Sequence, residues 1–195
     1  MEFSEFKERF DKPGFVLLFG GKRDVLEEDV EMISRLGLFL ISNTEHLIFR
    51  TGNANGADVL FAEGVAKKDS SRLQSVTPYQ GHRKKTNYAN EQLSLDEVDL
   101  AAEPEVVYHS KANVKTKRLV DEYVSGKRDQ YAMKAAYIIR DTLMVIGGKD
   151  ISRSACGLFY DDLKSPMSGG TGHTMNVCRL NNVPFYDQQM WSKWL

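Results

Sequence analysis

A chain of 195 residues fits one domain, and 42% hydrophobic with 27% charged residues is ordinary for a globular protein. The formal net charge of −1 gives no global attraction to a polyanion or an anionic membrane, so nucleic-acid binding would need a local basic patch. Cys156 and Cys178 are well separated and have no CxxC spacing, so neither a disulfide framework nor a zinc site is indicated. No apolar run reaches membrane-spanning length and no leader pattern is present, so we expect a cytoplasmic protein.

The first half of the chain alternates strand and helix patterns. An amphipathic helix is predicted over residues 1–12, and the apolar run 15–19 predicts a buried strand that ends at Gly20 and Gly21. Apolar residues then recur at helix spacing over residues 26–40. "HLIFRTG" predicts a second strand, residues 57–65 a second helix, and "LQSVTPY" a weaker third strand.

The middle of the chain is less regular. The polar segment 80–104 is predicted to be an insertion, which either closes over a ligand as a lid or covers a sheet edge. "EVVYH" predicts a short strand, and residues 120–124 and 132–139 predict helices. "TLMVIGG", which ends at Gly147 and Gly148, predicts the clearest strand after the first.

The last part of the chain opens with an irregular segment over residues 149–166. "NVPFYD" predicts a final strand after the last helix. We expect the tail 187–195 to fold its two tryptophans onto the core or onto a second subunit.

Strands that alternate with helices predict a single α/β domain, in which a mostly parallel sheet is flanked by helices. Ligands bind such sheets at the carboxyl ends of the strands. We therefore expect the glycine turns to converge there, namely Gly20, Gly21, Gly52, Gly147, Gly148, Gly169 and Gly170.

Two glycine turns open helices and are candidate anion sites. Glycine allows close approach of a ligand, while free backbone N–H groups and the helix dipole favour phosphate or carboxylate. A helix cap that binds nothing is the alternative for each turn. The later turn would be a Ser/Thr-rich cap, and in the earlier turn Asn55 and Asp58 resemble an N-cap with its N3 carboxylate. The candidate ligand-binding residues of the two turns are Thr51, Gly52, Asn53, Asn55, Gly56 and Asp58, and Ser168, Gly169, Gly170, Thr171, Gly172, His173 and Thr174.

Several cofactor sites are disfavoured. No GxxxxGK[ST] spacing occurs, so neither turn is a Walker A loop. "GGKRD" lacks GxGxxG, and no acidic residue ends the second strand, which argues against a nicotinamide-dependent dehydrogenase. Asp161 and Asp162 have no further oxygen ligands in spacing, so no metal site is predicted and no cofactor is expected to be required.

Four motifs in order, "FGGKRD", "RTGNANGAD", "KRDQYAM" and "SGGTGHT", resemble the SLOG superfamily. That group contains the Lonely Guy proteins, the DprA-type DNA-processing proteins and the YspA/YpsA-like proteins. The likeness spans residues 15–186 and is greatest to the YspA-like branch. It implies one Rossmann-like domain over residues 1–195 that binds a nucleotide or a nucleotide-derived ligand at these turns.

The resemblance assigns motif positions one by one. Arg23 belongs to the first motif and Arg128 to the third, in which Asp129 stands where the pattern has Asn. A guanidinium donates to phosphate or carboxylate in bidentate fashion, so both arginines are candidate ligand partners, with a surface salt bridge as the alternative. The remaining matched positions are Gly21, Gly52, Gly56, Ala57, Asp58, Met133, Gly169, Gly170 and Gly172.

The chain departs from the Lonely Guy pattern after "SGGTGH", where Thr174, Met175 and Asn176 replace the expected glutamates. N-glycosidic cleavage needs an acid or a base near the anomeric carbon. Asp58, Asp129 and His173 are the remaining catalytic candidates. A helix N-terminus would lower the pKa of His173, which favours a neutral imidazole that hydrogen-bonds to a ligand.

Three function classes remain open. The first is a nucleotide-binding module or sensor, and the second is a nucleotide N-glycosidic hydrolase with a relocated carboxylate. The third is a DNA-binding protein, supported by the basic runs 82–85 and 111–118 but by no interleaved aromatic residues. No membrane partner is predicted, and a homo-oligomer is predicted only if the tail projects.

Overall fold

A parallel sheet forms the centre of the computed structural model, which describes residues 1–195. Its strands are β1 (Val16–Gly21), β2 (Ile48–Thr51), β3 (Leu73–Thr77), β4 (Glu91–Ser94), β5 (Cys156–Tyr160) and β6 (Phe185–Asp187). They lie in the order β4-β3-β2-β1-β5-β6, and every neighbouring pair is parallel. The predicted α/β class is confirmed.

Helices cover both faces of the sheet. They are α1 (Phe3–Phe10), α2 (Val30–Asn43), α3 (Ala57–Ala66), α4 (Pro104–Ser110), α5 (Val114–Val124), α6 (Ala132–Ile146), α7 (Gly169–Leu180) and α8 (Gln188–Trp191). Side chains alternate along a strand, so Leu17 and Phe19 of β1 pack with α1, α2 and α3, whereas Leu18 packs with α5, α6 and α7. The result is a three-layer α/β/α domain.

The C-terminal tail folds onto the core. Trp191 is fully buried, and its indole Nε1 donates to the Phe159 carbonyl at 3.1 Å. The Trp194 ring lies 5.6 Å from the ring of Phe3 and 4.7 Å from that of Phe6. Because the tail does not project, it gives no support to the predicted homo-oligomer.

The strand predicted at "TLMVIGG" is wrong, because these residues continue α6 to Ile146. Thr142 donates its hydroxyl to the Ile138 carbonyl one turn earlier, and residues 142–145 are all buried. Helix α6 packs against α4, α5, α7 and β3, so it is apolar on most sides. A short apolar run of this kind does not distinguish a buried strand from a buried helix.

The glycines that follow α6 therefore lie away from the other glycine turns. Gly147 ends the helix at φ +74°, a conformation that favours glycine. Ser154 N then donates to the Val145 carbonyl, and Ala155 N donates to the Val16 carbonyl at the start of β1. Gly147 thus lies near the amino ends of β1 and β5, opposite to the predicted edge, and Gly148 lies beside Glu103, the residue before α4.

The strand predicted at "EVVYH" and the irregular structure predicted over residues 149–166 are also wrong. "EVVYH" lies in α4, which begins with Pro104 at its first position, where the missing N–H costs nothing. The segment 149–166, predicted to be irregular, contains the central strand β5, whose five residues are all buried. The insertion 80–104 supplies the edge strand β4, which its polar composition concealed.

None of the eight helices combines the length and the apolar composition that crossing a membrane requires. Both cysteines are buried and free.

Helices α2 and α3 pack backbone to backbone at Gly64. A Cβ atom on Gly64 would overlap the Ser34 carbonyl of α2. We expect Gly64→Ala to lower the free energy of unfolding by about 1–3 kcal/mol, the usual cost of an overpacked contact. Urea unfolding measures this change.

Glu63→Ala is the matched control, because Glu63 lies beside Gly64 and makes only an exposed ion pair with Lys67. We expect it to change the unfolding free energy by less than about 0.5 kcal/mol. Equal stabilities of the two variants would contradict this close packing.

Candidate functional site

A cleft of about 430 Å³ opens at the carboxyl ends of β1 and β5. Residues from six parts of the chain line it: β1 with the turn after it, the turn after β2, the start of α3, one face of α6, β5 and the N-terminus of α7. The lining residues are Gly20, Gly21, Lys22, Arg23, Ala54, Asp58, Tyr137, Ile138, Arg140, Asp141, Met144, Phe159, Ser168, Gly169, Gly170, Thr171 and Thr174.

The turns after β1 and β2 touch through their backbones. Ala57 N donates to the Lys22 carbonyl at 3.1 Å. Gly56 has φ +80°, and a Cβ atom there would overlap the Arg23 carbonyl. A Cβ atom on Gly21 would lie 2.6 Å from that of Ala57. Glycine at these two positions therefore brings the turns together, as the sequence predicted.

The N-terminus of α7 faces the cleft. The first intrahelical hydrogen bond runs from Gly172 N to the Ser168 carbonyl, so the amides of Gly169, Gly170 and Thr171 have no helical partner. Together with the helix dipole, these amides provide donors for an anion. The Thr174 hydroxyl donates to the Gly170 carbonyl at 3.1 Å and is engaged within the helix.

Lys22 fixes this helix terminus relative to β1. Its Nζ donates to the Ser168 carbonyl at 3.0 Å and to Ser168 Oγ at 2.7 Å, and it lies 3.6 Å from Asp161 Oδ1. Asp161 Oδ2 in turn accepts from Met167 N at 2.6 Å. Asp161 is therefore an anchor for the loop before α7, and no cluster of three potential metal-ligating side chains occurs in the chain.

Arg140 lies beneath the cleft at 4% exposure. Its Nε lies 3.1 Å from Asp141 Oδ1, and its Nη1 donates to the Val76 carbonyl at 3.4 Å. A Cβ atom on Gly52 would overlap the guanidinium. Glycine at position 52 thus makes room for a buried arginine.

Two carboxyl groups flank Arg140. Asp58 Oδ2 accepts from Gly52 N at 3.0 Å and from Ala54 N at 3.3 Å. Burial raises the pKa of Asp58 to about 6, although the charge of Arg140 partly opposes the rise. Burial also raises the pKa of Asp141, which lies across the cleft floor from Gly170. The cleft therefore contains two carboxyls that hold protons more readily than exposed aspartates.

Tyr137 and Arg23 form the rim. The Arg23 guanidinium carbon lies 5.9 Å from the Tyr137 ring centre, and that of Arg140 lies at the same distance. Arg23 is exposed and makes no hydrogen bond or ion pair. It is thus the free cation of the cleft, beside an aromatic ring on which a base could stack.

The turn after β2 lies mostly below the cleft, and of its residues only Ala54 lines it. Thr51 and Asn53 are buried below the cleft, and Asn53 Nδ2 donates to the carbonyls of His82 and Arg83. The predicted cap role of Asn55 is wrong: Asn55 is exposed, and the N-cap of α3 is Gly56.

Arg128 and Asp129 lie outside the cleft. Arg128 Nη1 donates to the Tyr123 carbonyl at 2.7 Å, and its guanidinium stacks 3.9 Å above the Tyr123 ring. Asp129 Oδ1 accepts from the backbone amides of Tyr131 and Ala132 at the start of α6. Both residues hold the α5–α6 connection, so the structure does not place them near a ligand in the cleft.

His173 also points away from the cleft. It is 7% exposed, and its Nε2 lies 3.0 Å from Thr142 Oγ1 on α6. Its pKa falls to about 4 because of burial, and not because of the helix terminus that the sequence suggested. Gly172 has a packing role, since a Cβ atom there would overlap the Met167 carbonyl.

Sequence reasoning missed four polar residues of the cleft: Lys22, Tyr137, Arg140 and Asp141. The last three lie at helix spacing on one face of α6. That spacing was a usable signal, but the strand predicted from residue 142 cut the helix short.

No protein-family model and no curated protein sequence matches the chain. A solved structure is similar, namely DNA processing protein A from Helicobacter pylori, described for its unique single-stranded DNA binding mode. The TM-score is 0.50 at 14% identity over 90% of this chain. The two proteins share a Rossmann-like fold. This chain spans 65% of the length of that protein, and at this identity the likeness shows the fold alone.

The protonation of Asp58 is testable through stability. A pKa raised from 3.8 to about 6 means that folding favours the protonated carboxyl. The contribution of Asp58 to stability is therefore present below pH 4 and is lost as the pH rises through about 6. Asp58→Asn keeps an acceptor oxygen and cannot titrate.

We expect the wild-type unfolding free energy, minus that of Asp58→Asn, to fall by about 3 kcal/mol between acid and neutral pH. Urea unfolding across this range measures the difference. A difference that stays flat or rises with pH would show that Arg140 keeps Asp58 ionised.

Proposed function

We propose that the chain binds a nucleotide or a nucleotide-derived anion in this cleft. The ligand phosphate lies at the N-terminus of α7, and the rest of the ligand lies towards Tyr137. One observation carries the proposal: free helix amides, a free guanidinium on Arg23 and an aromatic face on Tyr137 line the same cleft.

The charges of the cleft favour an anion. Lys22 already has three oxygen partners, so its role is to position Ser168. The positive charges of Arg23 and Arg140 remain. Asp58 and Asp141 oppose them only in part, because burial raises the pKa values of both carboxyls. A phosphate is attracted to the amides and to Arg23, whereas a carboxylate added near Asp141 would oppose it.

The sequence likeness supports the class of ligand. The SLOG pattern, and its YspA-like branch in particular, implies a nucleotide-type ligand at the turns that contain Gly21, Gly56 and Gly170. Two of these glycines line the cleft, and Gly56 joins the turns that form it.

Gly170 provides a sharp test of this proposal. A Cβ atom there meets only Asp141 Oδ2, at 3.7 Å, so a side chain fits. We expect Gly170→Asn to keep nucleotide affinity within a few fold and Gly170→Asp to lower it by at least about 30-fold, because two carboxylates would then face the phosphate. Calorimetric titration with mono-, di- and cyclic nucleotides measures the affinities.

A carboxylate in the first turn of a helix stabilises that helix, so Gly170→Asp should not unfold the protein. Arg23→Ala should weaken the same nucleotide by about 10-fold, the usual loss for one charged hydrogen bond. Equal affinities for Gly170→Asp and Gly170→Asn would contradict the proposed position of the phosphate. Affinity only for single-stranded DNA, with a steep salt dependence, would favour the DNA-binding class instead.

Turnover is a second candidate function, because the cleft supplies two carboxyls whose pKa values are raised by burial. Asp58 was a candidate from the sequence, and Asp141 replaces Asp129 as the second one. N-glycosidic hydrolysis needs a proton donor for the leaving base and a group that stabilises the oxocarbenium ion.

If the bound nucleotide is hydrolysed, we expect base release to fall by at least about 100-fold in Asp141→Asn, with nucleotide affinity equal or higher because a carboxylate that faces the phosphate is removed. Chromatography of a nucleoside monophosphate incubated with the protein measures release. Asp129→Asn is the control and should keep full turnover, since Asp129 caps α6 outside the cleft. Loss of turnover in the control alone would overturn this assignment.

A further inference from the structure

A second cavity lies at the same edge of the sheet, and we call it the β3–β4 pocket. Its volume is about 330 Å³, and nearly all its lining residues are polar. Thr77 and Ser94, which end β3 and β4, form its floor. Lys84, Gln92 and Glu97 line its sides, and neither the Lys84 ammonium nor the Glu97 carboxylate makes a hydrogen bond or ion pair.

His82 separates this pocket from the first cleft. It lines the β3–β4 pocket and is 4% exposed, and neither of its ring nitrogens has a hydrogen-bond partner. Its ring centre lies 4.9 Å from that of Tyr79 and 5.7 Å from that of Tyr137, which lines the first cleft. An unpartnered buried imidazole destabilises the unliganded protein. Binding of a ligand that displaces the His82 side chain and hydrogen-bonds to its ring is therefore favoured.

The wall between the two cavities is cationic. Burial, and after it the charges of the nearby Arg140, Arg83 and Arg23, lowers the pKa of His82 to about 4. The His82 ring is therefore neutral, and the positive charge of this wall comes from the three guanidiniums. Arg83 has φ +48°, a left-handed conformation that is unusual for a residue other than glycine. Asn53 holds this conformation through the His82 and Arg83 carbonyls.

The spacing of the strands gives the distance between the cavities. The first cleft lies over β1 and β5, and the β3–β4 pocket lies over β3 and β4, three strand positions away. At about 4.8 Å per strand, the centres are about 14 Å apart. A ligand that fills both cavities must span this distance, which two linked nucleotide units can do.

We infer that the ligand consists of two nucleotide units joined through phosphate. The first phosphate lies at α7, the linking phosphate crosses the ridge of Arg23 and Arg83, and the second base enters the β3–β4 pocket. There, Lys84, Gln92 and Glu97 offer the donors and acceptors that recognise a base edge. This inference rests on the proposed function of the first cleft.

The test compares AMP and GMP with the 5′-phosphorylated dinucleotides pApA and pGpG by calorimetric titration of the full chain. We expect one dinucleotide to bind at least about 10-fold more tightly than its mononucleotide, since a single charged hydrogen bond is enough for this difference. Lys84→Ala should remove most of that gain and leave the mononucleotide affinity unchanged. Lys85→Ala, next to it but outside the pocket, should change neither affinity.

His82→Phe separates binding from folding. The ring still packs between Tyr79 and Tyr137, and removal of the unpartnered nitrogens should raise the melting temperature. We expect the dinucleotide affinity of this variant to fall by about 5-fold or more, with the mononucleotide affinity unchanged.

The outcomes distinguish the two proposals. Equal affinity for mono- and dinucleotides, or a Lys84→Ala protein that keeps the dinucleotide gain, would overturn the second subsite and leave the first cleft in place. Affinity that continues to rise in longer oligonucleotides would also overturn a two-unit ligand. If neither mono- nor dinucleotides bind, the proposed function itself fails.

Discussion

The ammonium group of Lys22 holds the two sides of the cleft together. It joins the turn after β1 to both oxygens of Ser168 and lies beside Asp161, which anchors the loop that leads into α7. These contacts hold the free amides of α7 towards the turns after β1 and β2. The lysine is therefore a positioning residue, and Arg23 is left to meet a ligand.

A buried charge cluster forms the floor of the cleft, at a cost in stability. Arg140 is nearly inaccessible and has Asp58 and Asp141 as its acidic neighbours, so desolvation of all three groups opposes their mutual attraction. A hydrophobic core of similar volume would be as stable or more so. The cluster is thus better explained by a role in the cleft, and the glycine at position 52 is the residue that makes room for it.

Sequence reasoning succeeded where the physical requirement was local. Gly21 and Gly56 are readable because each permits a close approach of the two turns that a side chain would prevent. It failed where tertiary packing decided the structure: α6 is apolar on most sides, so its second half resembled a strand, and β4 is a polar edge strand. Tyr137, Arg140 and Asp141 were missed as a direct consequence, and Arg128 was chosen from a motif although it stacks on Tyr123.

The carboxyl edge of the sheet thus carries a cleft of about 430 Å³ with free amides and, beyond Arg23 and Arg83, a polar pocket lined mostly by the insertion 80–104. The most direct test of the first cleft is an NMR titration of backbone amides with nucleoside monophosphates. The largest shifts are expected at Gly169, Gly170 and Thr171, followed by the turn at Lys22. Shifts confined to the basic run 111–118, or no shift at any amide, would contradict a phosphate site at the N-terminus of α7.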